Sequence, residues 1–319
     1  MNIKTCAALA AIGLAGIAFA GGEGWSSDFA AAKKEAAESK KDLLMDFTGS
    51  DWCGWCIKLN EEVFSKESYK TGTKDKFVPV EVDFPKDKSK LTEETIKQND
   101  ELGKKYGIEG YPTILLTDAT GKPFAATGYK EGGPEVYVKH LDELLARKTV
   151  RDESFKSAEK AKGVEKAKAL LAALNAMELN DTIVANFYSD IVEQIKAADP
   201  KDETGFGKAA ATKARIAKFQ QDLTELAQKQ DFDGAMVLLD KTLKEGGFPS
   251  DETQQLMATR GMIFAQQKKF DEAIKAVDEA KAYAPESEIA ESLDGFKQRL
   301  EEGKQKAAGG ERGEEPEEK

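Results

Sequence analysis

The stretch LLMDFTGSDWCGWC (residues 43–56) places two cysteines three positions apart, directly after an apolar run. Cysteines at this spacing serve in three kinds of site: a redox-active dithiol, half of a zinc site, or a short structural disulfide. The apolar run at 43–48 is typical of a buried strand, and apolar residues recur at helical spacing after Cys56. The sequence therefore predicts Cys53 and Cys56 where a strand gives way to a helix.

The rest of the chain gives little support to a zinc site or to a structural disulfide. A structural zinc site needs four nitrogen or sulfur ligands, and the only further cysteine and histidine are Cys6 and His140. Zinc would thus require carboxylates or a second chain, and His140 is expected to be a solvated surface residue. A structural disulfide across so short a loop would remove little chain entropy. A redox dithiol is the favoured interpretation.

The position of the pair at a helix start predicts a different role for each sulfur. A first cysteine in the opening turn faces free backbone N–H groups and the positive end of the helix dipole, which lowers the pKa of its thiol. We expect Cys53 to face solvent and attack, and Cys56 to lie one turn deeper, shielded, and resolve the mixed disulfide.

The amino terminus has the features of a secretory signal peptide over residues 1–20. Lys4 is followed by the apolar run CAALAAIGLAGIAF and by small residues before Gly21. We expect a periplasmic or secreted protein in which cleavage removes Cys6. A net charge of −11 over 319 residues argues against electrostatic binding to nucleic acid or anionic membranes.

The remaining chain has two kinds of pattern. Residues 21–149 contain four short strand patterns among helical ones, which predicts a mixed sheet flanked by helices. Residues 150–302 have helical periodicity only, and the charged segment 303–319 is predicted to be disordered.

The helical part contains a candidate repeat. Small and apolar residues follow the spacing of a tetratricopeptide unit, in which Gly261 and Ala273 would allow two helices to approach closely. A plain helical bundle is the alternative. The residues of the candidate unit are Met257, Gly261, Phe264, Ala273, Val277, Ala280 and Pro285.

Two segments together resemble the thioredoxin superfamily over residues 25–148. DFTGSDWCGWC resembles its active-site segment, and YGIEGYPTILL resembles its second landmark, a proline that enters a strand. The resemblance implies that Pro112 is a cis-proline opposite the cysteines and that the backbone of Tyr111 pairs with a bound peptide. Asp46 matches the buried acid that relays a proton to the resolving cysteine, with one extra residue before the Trp-Cys pair. Glu81 falls near the place of the lysine that often accompanies this acid.

Three residues around the cysteines are further candidates for substrate contact. Trp52 is expected to pack under the loop, Trp55 to offer an exposed flat surface, and Gly54 to allow another backbone to approach.

Two functional hypotheses follow from the sequence. The first is an exported thiol–disulfide oxidoreductase, a reductase or isomerase of protein disulfides that needs no cofactor. Because the mature chain would hold no second cysteine pair, another protein must recycle its dithiol. The alternative is a helical-repeat scaffold that binds a peptide or protein, with a redox-inert thioredoxin-like domain.

Overall fold

The structure is a computed structural model that describes residues 24–310. The predicted signal peptide and the end of the predicted acidic tail lie outside these residues. Within residues 24–310, no helix combines the length and the apolar character needed to cross a membrane.

A four-stranded mixed sheet forms the centre of the first part of the chain. The strands lie in the order β2-β1-β3-β4, with β1 and β2 parallel and the other two pairs antiparallel. This arrangement confirms the predicted mixed sheet. The strands are β1 Asp42–Thr48, β2 Phe77–Asp83, β3 Thr113–Thr117 and β4 Pro123–Thr127.

Five helices accompany the sheet, and their ends follow local sequence signals. The Asp28 carboxylate accepts the Ala31 N–H at the first helix, and the Thr92 hydroxyl accepts the Thr95 N–H at the fourth. Gly107 ends that fourth helix in the left-handed conformation, as glycine does readily. The helices are α1 Phe29–Ser39, α2 Gly54–Leu59, α3 Glu67–Thr73, α4 Glu93–Tyr106 and α5 Gly133–Lys160, with a π-helical turn Asn60–Phe64 after α2 and a short 3-10 turn Lys88–Lys90.

Successive side chains along β1 and β2 point to opposite faces of the sheet, one of which is apolar while the other carries acidic residues. Met45, Phe47 and Val80 point to the side covered by α1 and α4, where they pack with Phe29 and Tyr106. Residues in the intervening positions of β1 and β2 point to the opposite face. Asp46 and Glu81 occupy two of these positions and are directly opposite each other in the strand register.

Three helices after α5 also pack on this first unit. Ile183 belongs to the sheet's apolar cluster, and the buried Tyr188 donates a hydrogen bond to the carbonyl of Pro123. The first compact unit therefore ends at Thr204, later than the predicted boundary at 149/150, which falls within α5. These helices are α6 Gly163–Met177, α7 Asp181–Phe187 and α8 Ser189–Ala198.

The second compact unit begins at Gly205, and its described residues, up to Gly310, contain helices only, which confirms the predicted all-α region. A Cβ atom built on Gly261 would lie 2.7 Å from Cγ2 of Val277, so the two helices approach as closely as the pattern predicts. The last helix continues to Gly310, so residues 303–310 are helical although their composition predicts disorder. The helices are α9 Phe206–Gln228, α10 Phe232–Glu245, α11 Ser250–Gln266, α12 Phe270–Tyr283 and α13 Glu288–Gly310.

Candidate redox site

Cys53 and Cys56 form a disulfide at the start of α2. Cys53 has extended backbone angles and is the N-cap residue of the helix, and the N–H of Cys56 donates to its sulfur at 3.2 Å. After reduction, the same N–H would stabilise a thiolate on Cys53, because a hydrogen bond to the charged form of a group favours that form.

The exposure of the two cysteine residues differs from the expectation. The sequence predicts a solvent-facing Cys53 and a shielded Cys56, whereas 6% of Cys53 and 5% of Cys56 is exposed in the disulfide form. The two cysteines differ instead in hydrogen bonding, since the Cys53 sulfur accepts a backbone N–H at the start of the helix. A Cβ atom on Gly54 would meet nothing within 4 Å, so the space beside the pair is open there.

The loop before the cysteines is held by Trp52. Its indole N–H donates to the carbonyl of Phe84 at 2.8 Å, and its ring meets that of Tyr111 edge-on at 5.6 Å. Gly49 lies directly against the indole, where an added Cβ would be 2.5 Å from the ring. Trp52 thus packs against the loop, and 41% of it remains exposed.

The proline motif lies beside the cysteine motif. The bond between Tyr111 and Pro112 is cis. Because Tyr111 contacts Trp52, the residue before Cys53, the two segments that the sequence singled out are neighbours in space.

A second aromatic group is formed by Trp55, between the two cysteines in the chain, and Tyr129. Trp55 is 58% exposed, and its ring lies 5.1 Å from that of Tyr129, in the segment after β4. The ammonium group of Lys58 lies over both rings, at 5.2 and 4.9 Å from their centres. The hydroxyl of Tyr129 donates to Glu62 at 2.6 Å. These contacts support the exposed indole of Trp55 from Tyr129 and Lys58.

Asp46 lies beneath the cysteines on β1. It is buried, and its Oδ1 atom has no hydrogen-bond partner among the described residues. Burial, followed by the negative charges of Glu81 and Asp83, raises the pKa of Asp46 well above its ordinary value. A cavity of about 110 Å³ is lined by both Asp46 and Cys56, so the acid faces the second cysteine.

His140 differs from its predicted role as a solvated residue. Its side chain is only 18% exposed, and Nε2 lies 2.9 Å from the hydroxyl oxygen of Thr127. Burial lowers the pKa of His140, with Lys130 as the next cause. In the part of the chain that the structure describes, no cluster of three or more His, Cys, Asp or Glu side chains could hold a metal ion.

Comparison with known proteins agrees with this geometry. Residues 29–144 match the family described as a thioredoxin-like domain. The chain is 36% identical over 121 residues to the disulfide bond reductase DsbH of Chlamydia pneumoniae, a match that covers 38% of this chain and 72% of that protein.

The chain belongs to the thioredoxin-like family. A second relative of this thioredoxin-like protein is the thioredoxin-related protein DsbJ of Chlamydia pneumoniae, 34% identical over 130 residues, or 39% of this chain and 37% of that one. A solved structure of a DsbH oxidoreductase is 34% identical, with a TM-score of 0.37, and covers 38% of this chain and 83% of that one. With its cysteine pair, the thioredoxin-like protein is a thiol–disulfide oxidoreductase.

Sequence reasoning missed part of the site of this thioredoxin-like protein. Tyr129 and Glu62 were not among the predicted residues, and Glu81 was noted only as a departure from the family pattern. The spacing of Lys58 and Glu62, one helical turn apart, is a local signal for their contact. No local pattern links Tyr129 to Trp55, because the two are brought together by the sheet.

Proposed function

We propose that this protein reduces disulfide bonds in exported proteins, with Cys53 as the nucleophile and Cys56 as the resolving thiol. The observation that carries the proposal is the hydrogen bond from the Cys56 N–H to the Cys53 sulfur at the start of α2. This contact favours a thiolate on the first cysteine. A relative named as a disulfide bond reductase supports the direction of electron flow.

The exchange proceeds in two balanced steps. The Cys53 thiolate attacks one sulfur of the substrate disulfide, the substrate bond breaks, and the other substrate sulfur leaves with the electron pair and takes up a proton. Cys56 then loses its proton and bonds to Cys53, which releases the second substrate sulfur as a thiolate. The substrate gains two electrons and the protein is left with the disulfide of this structure.

The aromatic groups beside the cysteines supply the proposed substrate contacts. Trp52 and Trp55 offer exposed rings next to the cysteines in the chain, and Gly54 leaves room for a peptide backbone. The backbone of Tyr111 pairs with the peptide in this proposal, and Pro112, which has no N–H, faces the sulfurs.

The dithiol itself supplies all of the chemistry in this proposal, so no cofactor takes part. Cys6 is the only other cysteine, and the signal sequence that contains it is predicted to be removed. A separate protein must therefore return electrons to the Cys53–Cys56 disulfide after each turnover. We place the protein in the periplasm or outside the cell, on the strength of that signal sequence.

Reduction of a generic disulfide protein, with a small dithiol as electron donor, tests the proposed activity. The Cys53→Ser variant should lose all acceleration over the dithiol alone, because no attacking sulfur remains. Ser39→Ala, which changes one exposed side chain at the end of α1, is the control and should keep full activity. Wild-type activity in Cys53→Ser would end the proposal.

The Cys56→Ala variant tests the assignment of roles. It should accumulate mixed disulfides through Cys53, and mass spectrometry of the trapped proteins would identify the substrates. If Cys53→Ala traps partners through Cys56 with the same yield, the two roles are assigned the wrong way round.

A second candidate function, recruitment of the substrate, is favoured by a groove in the helical unit. A groove of about 760 Å³ among its helices is lined by apolar side chains, including Phe219, Leu256 and Ile263. We infer that this unit, a tetratricopeptide-like repeat in our interpretation, binds a segment of the protein that Cys53 then reduces.

A further inference from the structure

A second buried carboxyl residue lies beside Asp46. The parallel register of β1 and β2 sets Asp46 opposite Glu81, and both are buried, with exposed fractions of 8% and 6%. Side chains that are paired in this way point to the same face of the sheet. The cavity of about 110 Å³ is lined by both of them and by Cys56, with Trp25 and Phe64 among its apolar walls.

The charged groups around Asp46 are carboxylates. Asp83, two residues after Glu81 on β2, accepts hydrogen bonds from the N–H and hydroxyl of Ser50 and adds its negative charge. Tyr69 on α3 and Tyr137 on α5 also face this group. Burial raises the pKa of both phenols, so they stay neutral near pH 7 and do not offset the negative charge.

Glu61, on the π-helical turn, is the remaining ionisable residue that lines the cavity, and its side chain is exposed. A carboxylate exposed to water has little effect on a buried neighbour. Glu81 and Asp83 are therefore the two charged groups that act on Asp46, and Glu81 has the larger effect.

Two adjacent buried carboxyl groups do not lose their protons independently. The negative charge of Glu81 favours the protonated form of Asp46, so the proton affinity of Asp46 depends on Glu81. The unpartnered Oδ1 atom of Asp46 faces no competing donor among the described residues. It is thus free to accept a proton through the cavity that it shares with Cys56.

We propose that Glu81 is a positioning residue for the proton transfer from Cys56: its charge makes Asp46, the proton acceptor that the family resemblance implies, hold that proton more tightly. This inference rests on the proposed reductase function. An acceptor works best when its proton affinity approaches that of the donor, and a thiol has an ordinary pKa of about 8.5. A lone exposed carboxylate is a much weaker base than this thiolate. The charge of Glu81 reduces the difference in proton affinity between the Asp46 carboxylate and the Cys56 thiolate.

The proton balance of the resolving step follows. The S–H bond of Cys56 breaks and its proton moves to the Asp46 carboxylate, directly or through water in the cavity. The Cys56 sulfur bonds to Cys53 while the bond between Cys53 and the substrate sulfur breaks, and that sulfur leaves as a thiolate. Asp46 later returns its proton to solvent, so no other reactant is consumed.

An aromatic disulfide that releases a coloured thiolate at each step separates the two reactions. The first release reports attack by Cys53 and the second reports resolution by Cys56. In Glu81→Gln, the first release should keep its rate, whereas the second should become slower. The apparent pKa of the second release should fall by about one unit or more, the size of interaction that couples two sites. Glu61→Gln, which removes an exposed carboxylate from the edge of the same cavity, should change neither release.

A carboxyl titration by carbon NMR on the disulfide form is the second measurement, because neither cysteine titrates in that form. The wild-type protein should show two linked steps, with one displaced upward, and Glu81→Gln should show one step at lower pH. If Glu81→Gln does not fold, the titration of the wild-type protein tests the inference without the variant. Two independent steps near the ordinary carboxyl pKa would overturn the inference.

The outcomes separate this inference from the proposed function. A wild-type protein that releases no second thiolate would refute the reductase proposal itself. A wild-type protein that releases both, with an unchanged pH profile in Glu81→Gln, would refute only the role of Glu81.

Discussion

Replacement of Asp46 by Asn should stabilise the protein relative to the wild type, and this stabilisation should increase as the pH rises. The carboxyl group of Asp46 is buried, lacks a hydrogen-bond partner on Oδ1 and lies among other acids. Each of these features disfavours its charged form in the folded state. An amide of the same size avoids the charge, and little repacking is needed.

The sign follows from proton binding. Burial raises the pKa of Asp46 in the folded protein above its ordinary value of 3.8, so at intermediate pH the folded state holds a proton that the unfolded state has lost. The free energy of unfolding therefore falls as the pH rises through that interval, by about 1.4 kcal/mol per pH unit for one proton. Asp46→Asn removes this loss. The stability difference between variant and wild type should grow at that rate above about pH 4 and level off above the raised pKa.

Denaturant unfolding of the disulfide form at a series of pH values measures the difference. The three tryptophans, Trp25, Trp52 and Trp55, all lie in the first unit, so their fluorescence reports that unit alone. Asp75→Asn is the matched control, since it makes the same change at an exposed acid just before β2. A constant difference for Asp46→Asn between about pH 4 and pH 8 would refute the argument that burial controls this acid.

Two further predictions concern the helical unit. Gly261→Ala would place a methyl group 2.7 Å from Val277, and thermal unfolding should show a destabilisation of about 1–3 kcal/mol from overpacking. Gly295→Ala, whose Cβ has no atom closer than 3.7 Å, should instead gain up to about 1 kcal/mol of helix propensity, and equal effects would contradict close packing at Gly261. Met262→Asp, in the apolar groove, should slow the trapping of substrates by the Cys56→Ala variant if the groove recruits them. Val237→Asp, at an exposed valine outside the groove, should not, and equal rates for the two variants would rule out recruitment by the groove.

Much of the first unit was predictable because its signals are local. Each strand appears as a short apolar or alternating run, and the strand predicted at 43–48 begins within one residue of the observed β1, Asp42–Thr48. Gly107 and Thr92 end and begin α4 through contacts within a few residues of themselves. Cys53 and Cys56 lie three positions apart, so one turn of helix is enough to bring their sulfurs together.

The end of the first unit was not predictable in this way. The apolar residues of helices α6 to α8 have the same spacing as those in the helices of the second unit. This spacing indicates that a helix has an apolar side, and does not indicate which core that side packs against. The burial of Ile183 in the sheet cluster and the hydrogen bond from Tyr188 to Pro123 decide which core that side joins.

The sequence alone determined the cysteine pair, the strand before it and the helix after it, because all three depend on neighbouring residues. Only the tertiary structure decided that Glu81 faces Asp46 and that Tyr129 supports Trp55. The physical reason is that these contacts join separate strands and loops, whose pairing is set by the register of the whole sheet.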